Sequence, residues 1–349
     1  MGSLNGTRKI TRTLLTGAAL FLSHTKTAYA GVNVKDMDFS TTFIDLDSGH
    51  VKILRTYDSR STFNGLFGFG WCSTLDRQLV KGPGLATSAN AGERQATTSI
   101  AIDSCGKRTI FAAIGAKPTS RWNAVKANDG FIDTDKGDFV HRGPDGRELA
   151  RFERTDGRLN ALATERGQTV PLLREPRGSL LRDAATGEGS RVRLEVDPLA
   201  NKILRIGTLD GRQRASFEYQ GDDLIKVTNA WNNTYHFSYD SLHNLLETRY
   251  PDQSLEQMTY DADHDRLTSF RGRNSCIERY EISIASNSKR KKQTTTAVKS
   301  CGEKETSRVA FEFDYRKTRV DGGWRLAKLK LTREGRTMSE IDYSKGGSQ

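Results

Sequence analysis

No stretch of the 349-residue sequence is apolar for long enough to cross a bilayer as a helix, which takes ~20 residues. Cysteine is scarce: the four residues Cys72, Cys105, Cys276 and Cys301 show neither Cys-x-x-Cys spacing nor a histidine at metal-ligand distance, so no zinc site is expected. Proline is scarcer than glycine, 7 against 32, and hydrophobic residues make up 35%. That balance suits a turn-rich, solvated β protein better than a compact α/β enzyme. Gly-x-Ser-x-Gly, His-Glu-x-x-His and phosphate-loop patterns are all missing. The histidines beyond the first 30 residues (His50, His141, His236, His243 and His264) fall in no ligand motif. Asp145, Asp210, Asp240 and Asp261 lie in turn signals, where a carboxylate satisfies backbone amides. No catalytic residue, metal or cofactor is assigned, and an enzyme is not expected.

What is present begins at the N-terminus. Three basic residues (Arg8, Lys9, Arg12) precede the apolar run Leu14-Leu15-Thr16-Gly17-Ala18-Ala19-Leu20-Phe21-Leu22, and a polar stretch then ends in Ala28-Tyr29-Ala30. This is the order of a Sec-type secretory signal over residues 1–30, cut after Ala30. The expected destination is periplasm, cell surface or exterior, without a transmembrane anchor. Removing four basic residues (Arg8, Lys9, Arg12, Lys26) lowers the net charge from +11 to +7. The remaining positive charge is spread along the chain among acids, so no nucleic-acid partner is expected. In an oxidising compartment four cysteines allow two disulfides in three pairings. The sequence-local pairing, Cys72–Cys105 with Cys276–Cys301, is the expectation, against the alternative of four buried thiols.

The chain repeats itself. Asp210-Gly211-Arg212-Gln213-Arg214-Ala215-Ser216-Phe217-Glu218-Tyr219 aligns without a gap to the segments beginning at Asp145 and Glu334. Tyr219, Tyr239, Tyr260 and Tyr280 recur at spacings of 20, 21 and 20, and Leu204, Leu224, Leu245 and Leu267 at 20, 21 and 22. Turn signals (Asp-Gly-Arg, Trp231-Asn232-Asn233, Pro251-Asp252, Arg271-Gly272) separate runs that alternate in polarity, such as Tyr235-His236-Phe237-Ser238-Tyr239. Val309, Phe311, Phe313 and Tyr315, then Tyr280, Ile282 and Ile284, and Ala327, Leu329 and Leu331 show the same alternation. Side chains on a strand point to opposite faces in turn, so each unit is a hairpin with one apolar and one wet face. A lone hairpin is marginal, and stacked hairpins share a core. The aromatic rows therefore belong to the core first, and sugar-stacking platforms are the minority reading.

These units resemble the YD repeats of RHS and teneurin-type proteins. Tyr239-Asp240-Ser241-Leu242-His243-Asn244-Leu245 and Tyr260-Asp261-Ala262-Asp263-His264-Asp265-Arg266-Leu267 look like the Tyr-Asp-x-x-Gly-Arg-Leu pattern, with His243 and His264 in the glycine place and one extra residue in the second unit. Upstream, Arg55-Thr56-Tyr57-Asp58-Ser59-Arg60-Ser61 and Gly65-Leu66-Phe67-Gly68-Phe69-Gly70-Trp71 resemble the domain that opens the repeat region in bacterial RHS proteins. The resemblance implies an all-β chain. A β domain over 31–137 would be followed by a hairpin array over 138–349, forming an open, curved sheet or partial shell. Its length is too short to enclose a cargo.

Two functions follow as expectations. One is an exported, non-catalytic structural or binding protein of the bacterial envelope, engaging a glycan, envelope polymer or protein through sheet edges, Trp231 or a basic loop. The other is a truncated shell component of a contact-dependent toxin system without its own effector. The basic loop is Lys289-Arg290-Lys291-Lys292, which could meet an anionic partner or simply be solvated.

Overall fold

A computed structural model describes residues 28–49, 51–82, 97–114, 121–163, 169–174, 181–185, 191–317 and 323–343. Most of the expected signal segment, His50 and the last six residues lie outside these. The expected cut after Ala30 falls within the strand Ala28–Asn33.

The chain is all-β, about 67% strand and 2% helix, and its sheets are antiparallel. Residues 28–73 form a four-stranded sheet of Ala28–Asn33, Asp38–Asp47, Lys52–Asp58 and Trp71–Ser73, with Asn64–Gly65 and Gly68–Phe69 as a small hairpin beside it. From Arg77–Lys81 to Arg336–Asp342 each strand pairs with the next in chain order, giving one long wall. That ladder crosses residue 137 without a break, since Phe131–Asp135 pairs with Asp138–Arg142. The strands over 28–73 thus form their own sheet, and the ladder of the wall begins at Arg77–Lys81.

The wall curls at its start. Arg77–Lys81 pairs with Thr97–Ser104 on one edge, and its other edge meets the turn before Leu159–Ala163: Gln78 bridges to Arg158, and Leu79 N donates to Gly157 O (2.8 Å). Gly157 permits this approach, because its φ is +72° and a Cβ there would lie 1.9 Å from Leu79 O.

Within the repeats the sequence pattern is realised strand by strand. Tyr235 and Phe237 are buried while His236 and Ser238 are exposed. Left-handed residues recur every ten to twelve positions at Asn201, Gly211, Gly221, Asn232, His243, Gln253, Asp265 and Ser275, one per turn. Tight hairpin turns require positive φ. In the Asp261 unit the left-handed residue is Asp265 and not His264, because the extra residue moves that place one step along. The leucine ladder is corrected in the same way. Ile203 is fully buried and stands where Leu224, Leu245 and Leu267 stand in later units, whereas Leu204 is half-buried.

The tyrosines do more than fill space. Three of the four reach back one hairpin to the carbonyl of the ladder residue, Tyr219 Oη to Ile203 O (2.8 Å), Tyr239 Oη to Leu224 O (2.9 Å) and Tyr260 Oη to Leu245 O (3.1 Å), whereas Tyr280 Oη donates to Glu278 (2.8 Å). The turn aspartates accept from backbone amides, as Asp240 does from Leu242 N and Asn244 N (both 2.9 Å) and Asp210 from Arg212 N (3.1 Å). Toward the C-terminus the inner face is less covered: Phe313 is buried, Phe311, Leu329 and Leu331 are half-buried, and Ile284 is exposed.

Both disulfides take the sequence-local pairing. Cys276–Cys301 sits at the base of the hairpin formed by Ile277–Ser286 and Arg290–Cys301. Cys72–Cys105 joins the opening sheet to the turn after Thr97–Ser104, and so ties the two layers together.

Candidate functional site: the seam between opening sheet and wall

The two motif runs singled out in the sequence converge on one place. They hold the turns of successive hairpins along one end of the wall. Ile203 N donates to Leu66 O (2.8 Å), and Lys202 reaches Gly65 O (3.0 Å) and the Asn64 side chain. One hairpin on, Phe69 N donates to Asp222 O (2.9 Å). At the next turn Tyr57 Oη donates to His243 O (3.1 Å) and accepts from Leu245 N (2.9 Å), while the Phe69 ring stacks on His243 at 4.4 Å. Beyond that, Arg60 donates to His264 O (2.7 Å), and Leu267 N donates to Met37 O (2.9 Å). Ala230 N and the Gln213 side chain donate to Asp45 O and Asp47 O.

The glycine spacing follows from this closeness. Gly68 has φ +96°, and a Cβ on it would lie 2.5 Å from Asp222 O; Gly70 has φ +75°, and a Cβ would lie 2.7 Å from the Tyr57 ring. A side chain at Gly68 would push the opening sheet off the wall, and one at Gly70 would displace the Tyr57 ring within the opening sheet.

Inside the seam, rings from both layers interlock. Phe43 packs edge-on to Tyr235 (5.1 Å) and Phe237 (5.6 Å), Phe39 stacks on Phe270 (5.5 Å), and Phe67 meets Phe217 (5.2 Å). Trp71 is fully buried, and its Nε1 donates to Tyr239 Oη (2.9 Å), so a repeat tyrosine is bonded to both layers.

At the centre lies a buried ion pair. Arg55 and Asp45 are at most 1% exposed, and Arg55 Nε meets the Asp45 carboxylate at 3.0–3.2 Å. Arg55 Nη1 and Nη2 find no hydrogen-bond acceptor among the described residues. The guanidinium instead lies over Trp71 (4.3 Å), Phe43 (4.6 Å) and Phe237 (5.1 Å), whose ring faces attract a cation. Burial pushes the Asp45 carboxyl up to about 6 despite Arg55 beside it. Burial likewise raises Asp76, against amide bonds from Leu66 and Ser73 and the Lys202 charge. Glu256, which accepts from Tyr250 Oη (2.7 Å), is also raised by burial, with Arg273 opposing.

The remaining sequence candidates are scattered. His141 Nε2 lies 2.9 Å from Asp129 O and is lowered by burial; His243 Nδ1 lies 2.8 Å from Asp223; His264 lies 3.7 Å from Asp261; His236 is on the wet face. Trp231 sits 44% exposed at a turn tip. The expected basic loop is divided. Lys289 stands at the turn, whereas Arg290, Lys291 and Lys292 begin the strand Arg290–Cys301, where neighbouring side chains alternate in direction. Lys291 lies 5.6 Å from the Tyr315 ring, and Lys292 pairs with Glu312 (2.6 Å). Arg290, Lys291 and Lys292 line one surface cavity together with Asp314, Arg316 and Lys328. Among the described residues no group of three or more His, Cys, Asp or Glu is placed to hold a metal.

No family model matches this chain, and no curated protein matches it. Among solved structures, the crystal structure of TcdB2-TccC3-Cdc42 is similar at 13% identity and a TM-score of 0.35, over 87% of this chain and 18% of that one. The crystal structure of TcdB2-TccC3-TEV is similar at 10% identity and a TM-score of 0.28, over 90% of this chain and 24% of that one. This chain thus spans about a fifth of the length of those chains. Likeness at this level carries no argument about the present protein.

Proposed function

We propose that the chain is an exported, non-catalytic RHS/YD-repeat protein of the bacterial envelope, with a structural or binding role. The observation that carries this reading is where the motif residues go. Tyr57, Arg60, Leu66 and Phe69 hold the opening sheet on the repeat turns, and Arg55 and Trp71 meet the repeat strand Thr234–Tyr239 at Phe237 and Tyr239. The residues behind the resemblance therefore build the scaffold, leaving partner recognition to the wall's exposed turns, edges and half-covered C-terminal face. A signal-like N-terminus and two disulfides are consistent with an oxidising compartment. The partner is taken to be a protein or an envelope glycan.

The test is fractionation of the native cell, with crosslinking of the full chain in place. Recovery from periplasm, surface or medium with a crosslinked envelope partner supports the proposal. Recovery from the cytoplasm with free thiols refutes it. A crosslinked toxin effector would replace this reading with that of a toxin-system shell component.

A further inference from the structure

We propose that the seam between opening sheet and wall is a proton-loaded clasp, which tightens as the surroundings acidify and loosens as they turn alkaline. The inference goes beyond the envelope role and does not depend on it.

The geometry at Asp45 carries it. A carboxylate that holds a guanidinium firmly does so as a two-pronged fork. Here only Arg55 Nε reaches Asp45, and the two terminal nitrogens have no acceptor among the described residues. The cation has separate support from Trp71 and Phe43 of the opening sheet and Phe237 of the wall. Asp45 can therefore take up a proton without stranding Arg55 in an apolar site. An ionised Asp45, by contrast, is a fully buried anion with one partner nitrogen, and burying charge so sparsely compensated is costly.

The groups facing this centre from each packed element do not reverse the balance. On the neighbouring strand Arg55 is the one charge acting on Asp45. From the wall come the Tyr219 and Tyr239 hydroxyls, both neutral at ordinary pH because burial raises them. Elsewhere along the seam Glu256 faces Tyr250 and Arg273, and Asp76 faces Ser73 and Lys202; burial raises both acids. Asp222 is lowered, first by Asn64, and opposes the trend, but its side chain is half exposed and its contribution is screened.

The sign follows from linkage. A carboxyl held above its unfolded value keeps its proton in the closed seam. The stability it contributes is complete below the unfolded value near 3.8 and is lost as pH rises through about 6. For Asp45 alone the equilibrium constant for opening the seam should rise about fiftyfold between roughly pH 4 and pH 7.

Native-state hydrogen exchange on the full chain, corrected for intrinsic rates, reads this directly in the segments 38–47 and 52–58. The expected result is protection that falls by about that factor from pH 4 to 7, with a flatter profile in Asp45→Asn. Protection that is constant or rises with pH overturns the proposal, as does an Asp45→Asn chain with the wild-type slope. If Asp45→Asn does not fold, the carboxyl carbon of Asp45 in the wild-type chain decides by NMR titration. A midpoint near 6 supports the clasp, and a midpoint below 4 overturns it.

Discussion

Removing one hydroxyl separates the two jobs that the repeat tyrosines perform. Tyr239→Phe deletes an oxygen that donates to Leu224 O (2.9 Å) and accepts from the indole of Trp71 (2.9 Å). The first loss is an ordinary hydrogen bond, about 0.5–1.5 kcal/mol net. The second leaves the N–H of a fully buried tryptophan unsatisfied, a further ~1–3 kcal/mol. Tyr260→Phe loses the equivalent bond to Leu245 O (3.1 Å) and a contact with the Ser59 hydroxyl but strands no indole, so it should cost only about 1 kcal/mol. Urea unfolding followed by circular dichroism should therefore place Tyr239→Phe below Tyr260→Phe by roughly 1–3 kcal/mol. In a double-mutant cycle, Tyr239→Phe and Trp71→Phe should couple by at least ~0.5 kcal/mol, because they share one bond. Equal costs for the two tyrosines, or zero coupling, would refute the account of Tyr239 as the bond between layers.

Three further outcomes are expected. Arg55→Met should destabilise by about 3–5 kcal/mol because it strands Asp45, and adding Asp45→Leu should recover most of that loss in the same unfolding assay; a double variant as unstable as the single one counts against the pair. Gly157→Ala should cost more than Gly211→Ala by thermal unfolding. Both glycines have positive φ, worth about 1–2 kcal/mol, but only at Gly157 would the new Cβ collide with Leu79 O, whereas Gly211 has open space. Non-reducing mass mapping of the chain isolated from the native cell should recover Cys72–Cys105 and Cys276–Cys301, and Cys276→Ser with Cys301→Ser should lower stability by roughly 3 kcal/mol. Four alkylatable thiols would count against that pairing.

The sequence alone determined whatever depends on period and local chemistry. Alternation in Tyr235–Tyr239 sorted the faces of that strand, the 20–22-residue spacing set the hairpin unit, and the Asp turns announced themselves by type. Even the inward position of Arg55 is legible afterwards, since it shares its side of the strand with Ile53 and Tyr57, both buried. What the sequence left open depended on bulges and on partners far along the chain. One inserted residue moved the left-handed place from His264 to Asp265, and the ladder began at Ile203 because burial, not residue type, marks that position. Only the tertiary structure could put Trp71 against Tyr239, 168 residues away, or set Arg55 among rings from two layers. Those contacts join segments with no shared period, so no local rule encodes them. Hairpin stacking fixes the wall, but where the opening sheet rests on it is decided by shape and by unpaired backbone groups that exist only once the wall has formed.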